Sequence, residues 1–576
     1  MRSLSFAAAA ASLLALVACG SSVETVAGPP PSPGPSSDGP PVDPPATSAE
    51  CTGKPGTIHE ASIEVGGEKR VYELFVPSTF ACTKPWPLLV DFHGAYGGEM
   101  PEEAYINDDL LAVAEKKGVV VARLRSRAAE QNGITWYRWD NTNADIPLNQ
   151  AFAKTLVESL VKSHAVDPKR VWASGYSSGG NMSATFLAMK GSPFAGLAIV
   201  AAGLWSKLTL PAAFDASSPL VYMATGYRDL HYVYAANTSA SLRAKGMGDR
   251  FFQRETDDGH ALLAWHYEEL LDYFATGKRP AAEPAKATWA TEVTPTASSI
   301  LDVARAADGS LVAVDVAGNV LRRTGSSWSV VRAASAGAAP LVTVAAHANG
   351  YVVAAGSEEM LVSTTSGASF TSAPFVPIDP GIGIAYVNGI GISDTSIMAA
   401  GSALYARPLA AGEWTSTSLG GVDMQTIHVA ASGTSVAAGR FSALRRTPLG
   451  GTPKIVKAPA SIGDRFLHAV ASSGSDFWVA GEHGTILHST DDGATFTAQK
   501  SNVVHDLYAL TFRDALHGAA VGAHGVAITT DDGGATWKDV SVGKNVMLAG
   551  VAYSSPSSEA SLIAVGENGL ALRLSP

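Results

Sequence analysis

The feature that most constrains the fold is a period in the C-terminal half. Short apolar strands end at Asp315, Gly356, Gly401, Gly439, Gly481, Gly522 and Gly566, at intervals of 38 to 45 residues. Each unit reads as an apolar strand, a turn at Gly or Asp, and another strand. A unit this small cannot bury its own apolar face, so it must stack on its neighbours. Seven units of about forty residues predict a propeller of seven four-stranded blades over residues 293–576. The 57 glycines of the chain fit so many tight turns.

Upstream the texture changes. Residues 51–278 alternate apolar strands with helical periodicity, which predicts a mostly parallel sheet covered by helices on both faces. Ala61–Val65 and Arg70–Val76 read as a hairpin about Gly66-Gly67. Pro87–Phe92, Gly118–Ala122, Arg170–Ser174, Leu197–Ala201 and Leu220–Ala224 read as strands. Ala151–Ser163, Asn181–Lys190 and Leu262–Phe274 read as helices. A break at residues 279–292, carrying Pro280 and Pro284, separates the two textures. The expected fold class is therefore multidomain: an α/β-hydrolase-type sheet domain followed by an all-β seven-bladed propeller.

The N-terminus reads as a targeting segment. Met1-Arg2 gives a positive start and Phe6–Val17 is an apolar run too short to span a bilayer. It ends in Leu16-Val17-Ala18-Cys19-Gly20, which resembles a bacterial lipobox with Cys19 as the lipidated residue. Residues 1–19 are then a lipoprotein signal peptide, and acyl chains on Cys19 would anchor the chain to the cell envelope at the outer membrane or cell surface. Residues 20–50, rich in Pro, Ser and Gly, form an extended tether. The remaining cysteines, Cys51 and Cys82, make a pair the simplest inference in an oxidising compartment.

Gly175-Tyr176-Ser177-Ser178-Gly179 matches G-x-S-x-G between a strand and a helix, the setting of a nucleophile elbow. A serine hydroxyl needs a base, and the base needs an orienting carboxylate. In the chain order Ser, Asp, His these are Asp229, just past a strand end, and His260, just before the closing helix. His231 and His266 are the rival bases, and Asp257 and Asp258 the fallback acids. Oxyanion donors are expected from the amides of Ser178 and of Ala95, the latter in Asp91-Phe92-His93-Gly94-Ala95-Tyr96-Gly97-Gly98. Tyr96, Trp136, Trp139, Trp205 and Tyr227 are candidate pocket aromatics, with ordinary packing as the plainer alternative. No cysteine spacing suits a metal.

With these motifs in view, residues 51–278 resemble the secreted polyhydroxybutyrate-depolymerase and feruloyl-esterase family. The His93-Gly94 loop, Asp167-Pro168-Lys169-Arg170-Val171, the elbow running into Asn181-Met182-Ser183, and the Asp229 and His260 segments carry the likeness. The resemblance implies cofactor-free hydrolysis of a carboxylic ester, with a polymer among the candidate substrates. Tyr96 stands where a small or cysteine residue is expected, so the substrate does not carry over. The propeller holds two Asp-box sequences, Ser489–Phe496 and Thr530–Trp537, and a degraded copy at Ser363–Phe370 with Thr365 in place of the aspartate. It resembles Asp-box and photosystem-assembly-factor-type propellers.

Three other functions compete. Prolyl-oligopeptidase-type peptidases also join a propeller to an α/β hydrolase, but there the propeller precedes or interrupts the catalytic domain. Here it follows the closing helix, which argues against a gate. A surface binding protein with a degenerate hydrolase is opposed by the intact Ser177, Asp229 and His260. A sialidase needs an arginine cluster, and the propeller's few arginines, such as Arg445-Arg446, sit at turns or strand ends. The net charge of −11, with no basic patch, excludes a nucleic-acid partner. The expected division of labour is ester cleavage by the first domain and docking to a polymer, glycan or protein by the second.

Overall fold

A computed structural model describes residues 51–97, 108–131, 134–139, 145–204, 208–229, 232–256, 260, 262–335, 338–356, 358–377, 386–409, 412–419 and 422–576. Cys19, Trp205, His231, Asp257 and Asp258 lie outside them. No helix among the described residues is long and apolar enough to cross a membrane.

The first domain is built on strands β1 (Thr57–Val65), β2 (Glu68–Val76), β3 (Trp86–Phe92), β4 (Tyr96–Gly97), β5 (Val120–Leu124), β6 (Ala128–Gln131), β7 (Ile134–Tyr137), β8 (Val166–Gly175), β9 (Gly196–Val200), β10 (Leu220–Gly226) and β11 (Phe251–Thr256). Eight of them form one sheet in the order β1-β2-β5-β3-β8-β9-β10-β11. From β5 to β11 every pairing is parallel, and β1 and β2 form an antiparallel hairpin at one edge. Strands β4, β7 and β6 make a small separate sheet. The helices are α1 (Asp108–Lys117), α2 (Asp145–Ser163), α3 (Ser178–Thr185), α4 (Tyr232–Ala244) and α5 (Ala264–Thr276).

Two apolar clusters cover the sheet's faces. One gathers Leu88, Val90, Phe92, Phe152, Leu156 and Met182 against α2 and α3. The other gathers Leu89, Val121, Trp172, Tyr222, Leu270 and Tyr273 against α1 and α5. The even–odd split along β3 is what a strand buried on both faces requires. Cys51 and Cys82 are disulfide-bonded across a sequence separation of 31 residues.

Seven four-stranded sheets follow. The anchors foreseen in the sequence are the last residue of the second strand in every blade. Glycine is needed at six of them because a Cβ would meet the carbonyl oxygen just before the blade's inner strand. It would lie 1.8 Å from Pro340 O at Gly356 and from Asp506 O at Gly522, and 2.0 Å from Met547 O at Gly566. The ring closes by pairing Ala290–Glu292 with the chain's last strand, Ala571–Leu574. That strand falls inside the segment expected to be a linker. Glu292 explains its place: the buried carboxylate takes Arg323 at 2.7 and 2.8 Å and Trp328 Nε1 at 2.9 Å from the first blade.

The Asp boxes are turns between third and fourth strands. Asp491 accepts from Thr495 N at 2.8 Å, Thr495 Oγ1 at 2.6 Å and Ser489 Oγ at 2.7 Å. In the degraded copy Thr365 Oγ1 accepts from Ser369 N at 3.1 Å, so a hydroxyl does part of the carboxylate's work. Phe496 and Trp537 are buried between successive blades, as expected for the box aromatics.

The α/β domain and the propeller belong to one compact unit. Contacts between them among the described residues fall at the propeller end that carries the fourth-to-first and second-to-third strand connections. Trp265 Nε1 donates to Asp506 Oδ2 at 2.7 Å, and Arg254 Nη2 to Asn545 Oδ1 at 3.1 Å. The Asp-box turns, at the opposite strand ends, lie on the far face.

Candidate active site

The site is assembled at the C-terminal ends of three parallel strands, where open α/β sheets place their chemistry. Ser177 follows β8, Asp229 follows β10 and His260 follows β11. Ser177 has φ 54° and ψ −118°, a left-handed conformation costly for any residue with a Cβ. The strain follows from the turn, which reverses strand into helix within one residue.

The flanking glycines have no room for a side chain. A Cβ on Gly175 would lie 2.1 Å from Gly179 O, one on Gly179 1.9 Å from Phe92 O, and one on Gly180 2.6 Å from Ala202 Cβ. The motif is thus a packing requirement that holds the elbow against β3 and the His93 loop.

His260 Nε2 lies 2.8 Å from Ser177 Oγ, and His260 Nδ1 lies 3.0 Å from both oxygens of Asp229. The Asp229 side chain is fully buried, while that of His260 keeps 20% exposure. The imidazole is held from behind by Tyr176, whose hydroxyl donates to His260 O at 2.8 Å and whose ring centroid lies 5.0 Å away. The structure therefore brings Ser177, Asp229 and His260 together. It keeps His266 apart: that ring is buried in α5 and its Nδ1 accepts from Leu263 N at 3.2 Å.

Ala95 lies between β3 and β4, and Ser178 opens α3. Trp139 ties the two loops, its backbone N–H reaching Ser178 Oγ at 3.4 Å and its Nε1 donating to His93 O at 3.1 Å. His93 was not foreseen as an anchor of this loop. Its Nε2 accepts from Ser126 N at 3.1 Å, which leaves the proton on Nδ1, 2.5 Å from Gly94 O. Burial pushes its pKa down to about 4, so the ring stays neutral while it pins the loop. The His-Gly dipeptide was the available signal.

The aromatic candidates divide. Trp139 is buried against Phe92 and His93, so packing is its role. Tyr96 is buried, stacked on Tyr137 at 4.9 Å and set edge-on to His93 at 4.9 Å. Trp136 is half-buried on β7. Tyr227, expected at a substrate pocket, is not there: it is buried among Leu301, Val342, Tyr508, Met547 and Ala549 of the propeller. Its hydroxyl is bonded to the Glu255 carboxylate and to Ser299 Oγ. The cause is the turn after β10, which points the ring out of the sheet domain. Among the described residues no cluster of His, Cys, Asp or Glu could hold a metal.

Fold and geometry together define an α/β hydrolase followed by a seven-bladed propeller. Residues 108–260 match the sequence model of the prolyl oligopeptidase family. A putative esterase, NocK of Nocardia uniformis subsp. tsuyamanensis, is 33% identical over 152 residues, 26% of this chain and 42% of that protein. The chain thus spans less than half the length of that relative. Among solved structures, YCF48 bound to D1 peptide is 21% identical with a TM-score of 0.41, covering 52% of this chain and 99% of that one. YCF48 from Cyanidioschyzon merolae is 17% identical with a TM-score of 0.39, covering 50% and 98%.

Proposed function

We propose that the protein is a serine hydrolase of carboxylic esters, with Ser177 as nucleophile, His260 as general base and Asp229 as the acid that orients it. The observation that carries this is the unbroken relay from Ser177 Oγ through His260 to the buried Asp229. His260 takes the Ser177 proton as Oγ attacks the ester carbonyl, and the amides of Ala95 and Ser178 receive the oxyanion. The alcohol leaves with the proton from His260, and water then releases the acid from the acyl-enzyme by the reverse use of the same base. The reading needs no cofactor. The esterase-named relative supports an ester over an amide substrate, and the motif likeness to polyester depolymerases and feruloyl esterases supports an extracellular one.

A peptidase is the second reading, favoured by the prolyl oligopeptidase match over residues 108–260. The test is turnover of short-chain nitrophenyl esters beside a prolyl nitroanilide, by the chain lacking residues 1–50 and by its Ser177→Ala variant. Ester turnover lost by about 10⁴–10⁶-fold in the variant supports the esterase. Amide turnover with poor ester turnover supports the peptidase, and no Ser177-dependent turnover of either overturns both.

In the same reading Cys19 lipidation holds the enzyme at the bacterial envelope. The far face of the propeller, which carries the Asp-box turns, docks a polymeric substrate or a partner.

A further inference from the structure

Every blade of the propeller carries a β-bulge at one place. The first residue of each inner strand pairs with the anchor of the second, and the register then slips by one residue. A bulge leaves its extra residue unpaired and re-aims its side chain. Here the extra residues form a ring at the channel end that meets the α/β domain.

The ring is chemically divided. Blades seven, one and two contribute Ala549, Leu301 and Val342. Blades three, four and five contribute Asn388, Gln425 and His468, and Tyr508 of blade six stands between the arcs. Two consecutive residues of the α/β domain fit this division. Tyr227 packs into the apolar arc with Leu301, Val342, Ala549 and Tyr508. Arg228 lines a channel cavity of about 290 Å³ together with Asn388, Gln425, His468 and Tyr508, and it donates to Asn388 O. Burial, reinforced by the Arg228 charge, pushes His468 down to about 3, so the polar arc meets the guanidinium with a neutral ring.

Tyr227 and Arg228 are also the two central residues of the turn that ends at Asp229. Asp229 N donates to Gly226 O at 3.1 Å, and Asp229 O accepts from Tyr232 N at 2.9 Å. The turn therefore has its side chains in the propeller and its last residue at His260.

We infer that the propeller is the seat that positions the triad acid. Tyr227 and Arg228, held by the ring of bulge residues, fix the turn that presents Asp229 to His260. They are positioning residues, and the inference rests on the catalytic reading of Ser177, His260 and Asp229.

The test uses the chain from residue 51 to 576 with Arg228→Ala, Arg228→Lys and the milder Tyr227→Phe. Circular dichroism checks folding. Turnover of a nitrophenyl ester gives kcat and KM separately, and proton NMR follows the low-field Nδ1 proton of His260 held by Asp229. Arg228→Ala is expected to lower kcat about 10²-fold, the effect of an ångström-scale misplacement, with KM unchanged. The Nδ1 resonance should be lost, and Arg228→Lys should restore part of both. Tyr227→Phe, which deletes only the hydroxyl bonds to Ser299 and Glu255, should cost about fivefold in kcat. A folded Arg228→Ala with parental kcat and an intact resonance overturns the seat. Should that variant fail to fold, parental kcat in Tyr227→Phe and Arg228→Lys overturns it. A parent chain with no Ser177-dependent turnover overturns the catalytic reading, and the seat with it.

Discussion

Gly179→Ala isolates the steric claim at the elbow. The new Cβ would lie 1.9 Å from Phe92 O, 2.5 Å from Phe92 C and 2.5 Å from His93 O. Contacts of this kind with backbone do not relax by rotating a side chain. Reaching an ordinary carbon–oxygen separation of about 3.3 Å requires a shift of more than an ångström between the elbow and the end of β3. Overpacking of this sort costs about 1–3 kcal/mol, which lowers the melting temperature of a domain this size by about 3–10 °C. The shift also moves Ser177 relative to the His93–Ala95 loop, and an error of that size costs about 10²-fold in turnover. Thermal melting by circular dichroism and ester turnover at a temperature where the variant is folded read the two effects separately. A variant with parental melting and parental kcat would refute the packing of α3 on β3, and with it the reason given for the motif's second glycine. A variant that melts early yet turns over normally would refute only the coupling between elbow and loop.

Three further outcomes follow from charge and connectivity. Burial pushes Asp91 up to about 6 from an ordinary value near 3.8, with Ser174 Oγ donating to it at 2.5 Å. A raised acid stabilises the fold fully below its unfolded pKa and loses that stabilisation as pH rises towards 6. Asp91→Asn should therefore match the parent near pH 4 and exceed it by about 2–3 kcal/mol at pH 7 in denaturant titrations; parallel curves would refute this. Asp491 runs the other way: bonds from Thr495 and Ser489 hold it down to about 2. Asp491→Ala should cost about 1 kcal/mol near neutrality and less as pH falls towards 2, read by hydrogen exchange in residues 485–499. Reducing the Cys51–Cys82 bridge, which spans 31 residues, should cost about 3–4 kcal/mol by the chain-entropy account, and unchanged melting under reductant would refute it.

Glycine made much of this fold legible. Six of the seven blade anchors and the elbow obey the same rule, a glycine pressed against a carbonyl, so both stand out in the sequence without any partner being known. The strand–elbow–helix order and the order Ser177, Asp229, His260 then followed from the parallel sheet. Elements held by tertiary contacts were less visible. Helix α3 ends at Thr185 instead of continuing to Lys190, because Phe186 to Met189 bond three residues back in tighter turns. Strand β11 carries Arg254 and Glu255 in its interior, which reads as polar until Glu269 and Tyr227 are seen to bond them. Tyr227 itself looked like a pocket aromatic because the buried apolar residues around it come from the propeller, more than seventy residues away.

The join between the domains changes how the propeller's role can be tested. Chain order argued against a gate, yet contact between the domains is intimate. The ring is closed by Ala290–Glu292, a strand that leaves the linker directly, and the preceding residues run along the sixth blade, with Lys286 N bonding Ser541 O at 2.8 Å and Trp289 Nε1 bonding Val540 O at 2.7 Å. A chain cut at residue 278 would bare Tyr227 and strip Arg254 of Asn545 and Trp265 of Asp506. Loss of turnover after such a cut would report the lost seat of Asp229 and say nothing of polymer recognition. The proposed docking is tested separately on the far face, where substitutions leave the bulge ring intact. Polymer binding that falls there while turnover of a small ester holds would support docking as a second task, and binding unchanged by such substitutions would refute docking on that face.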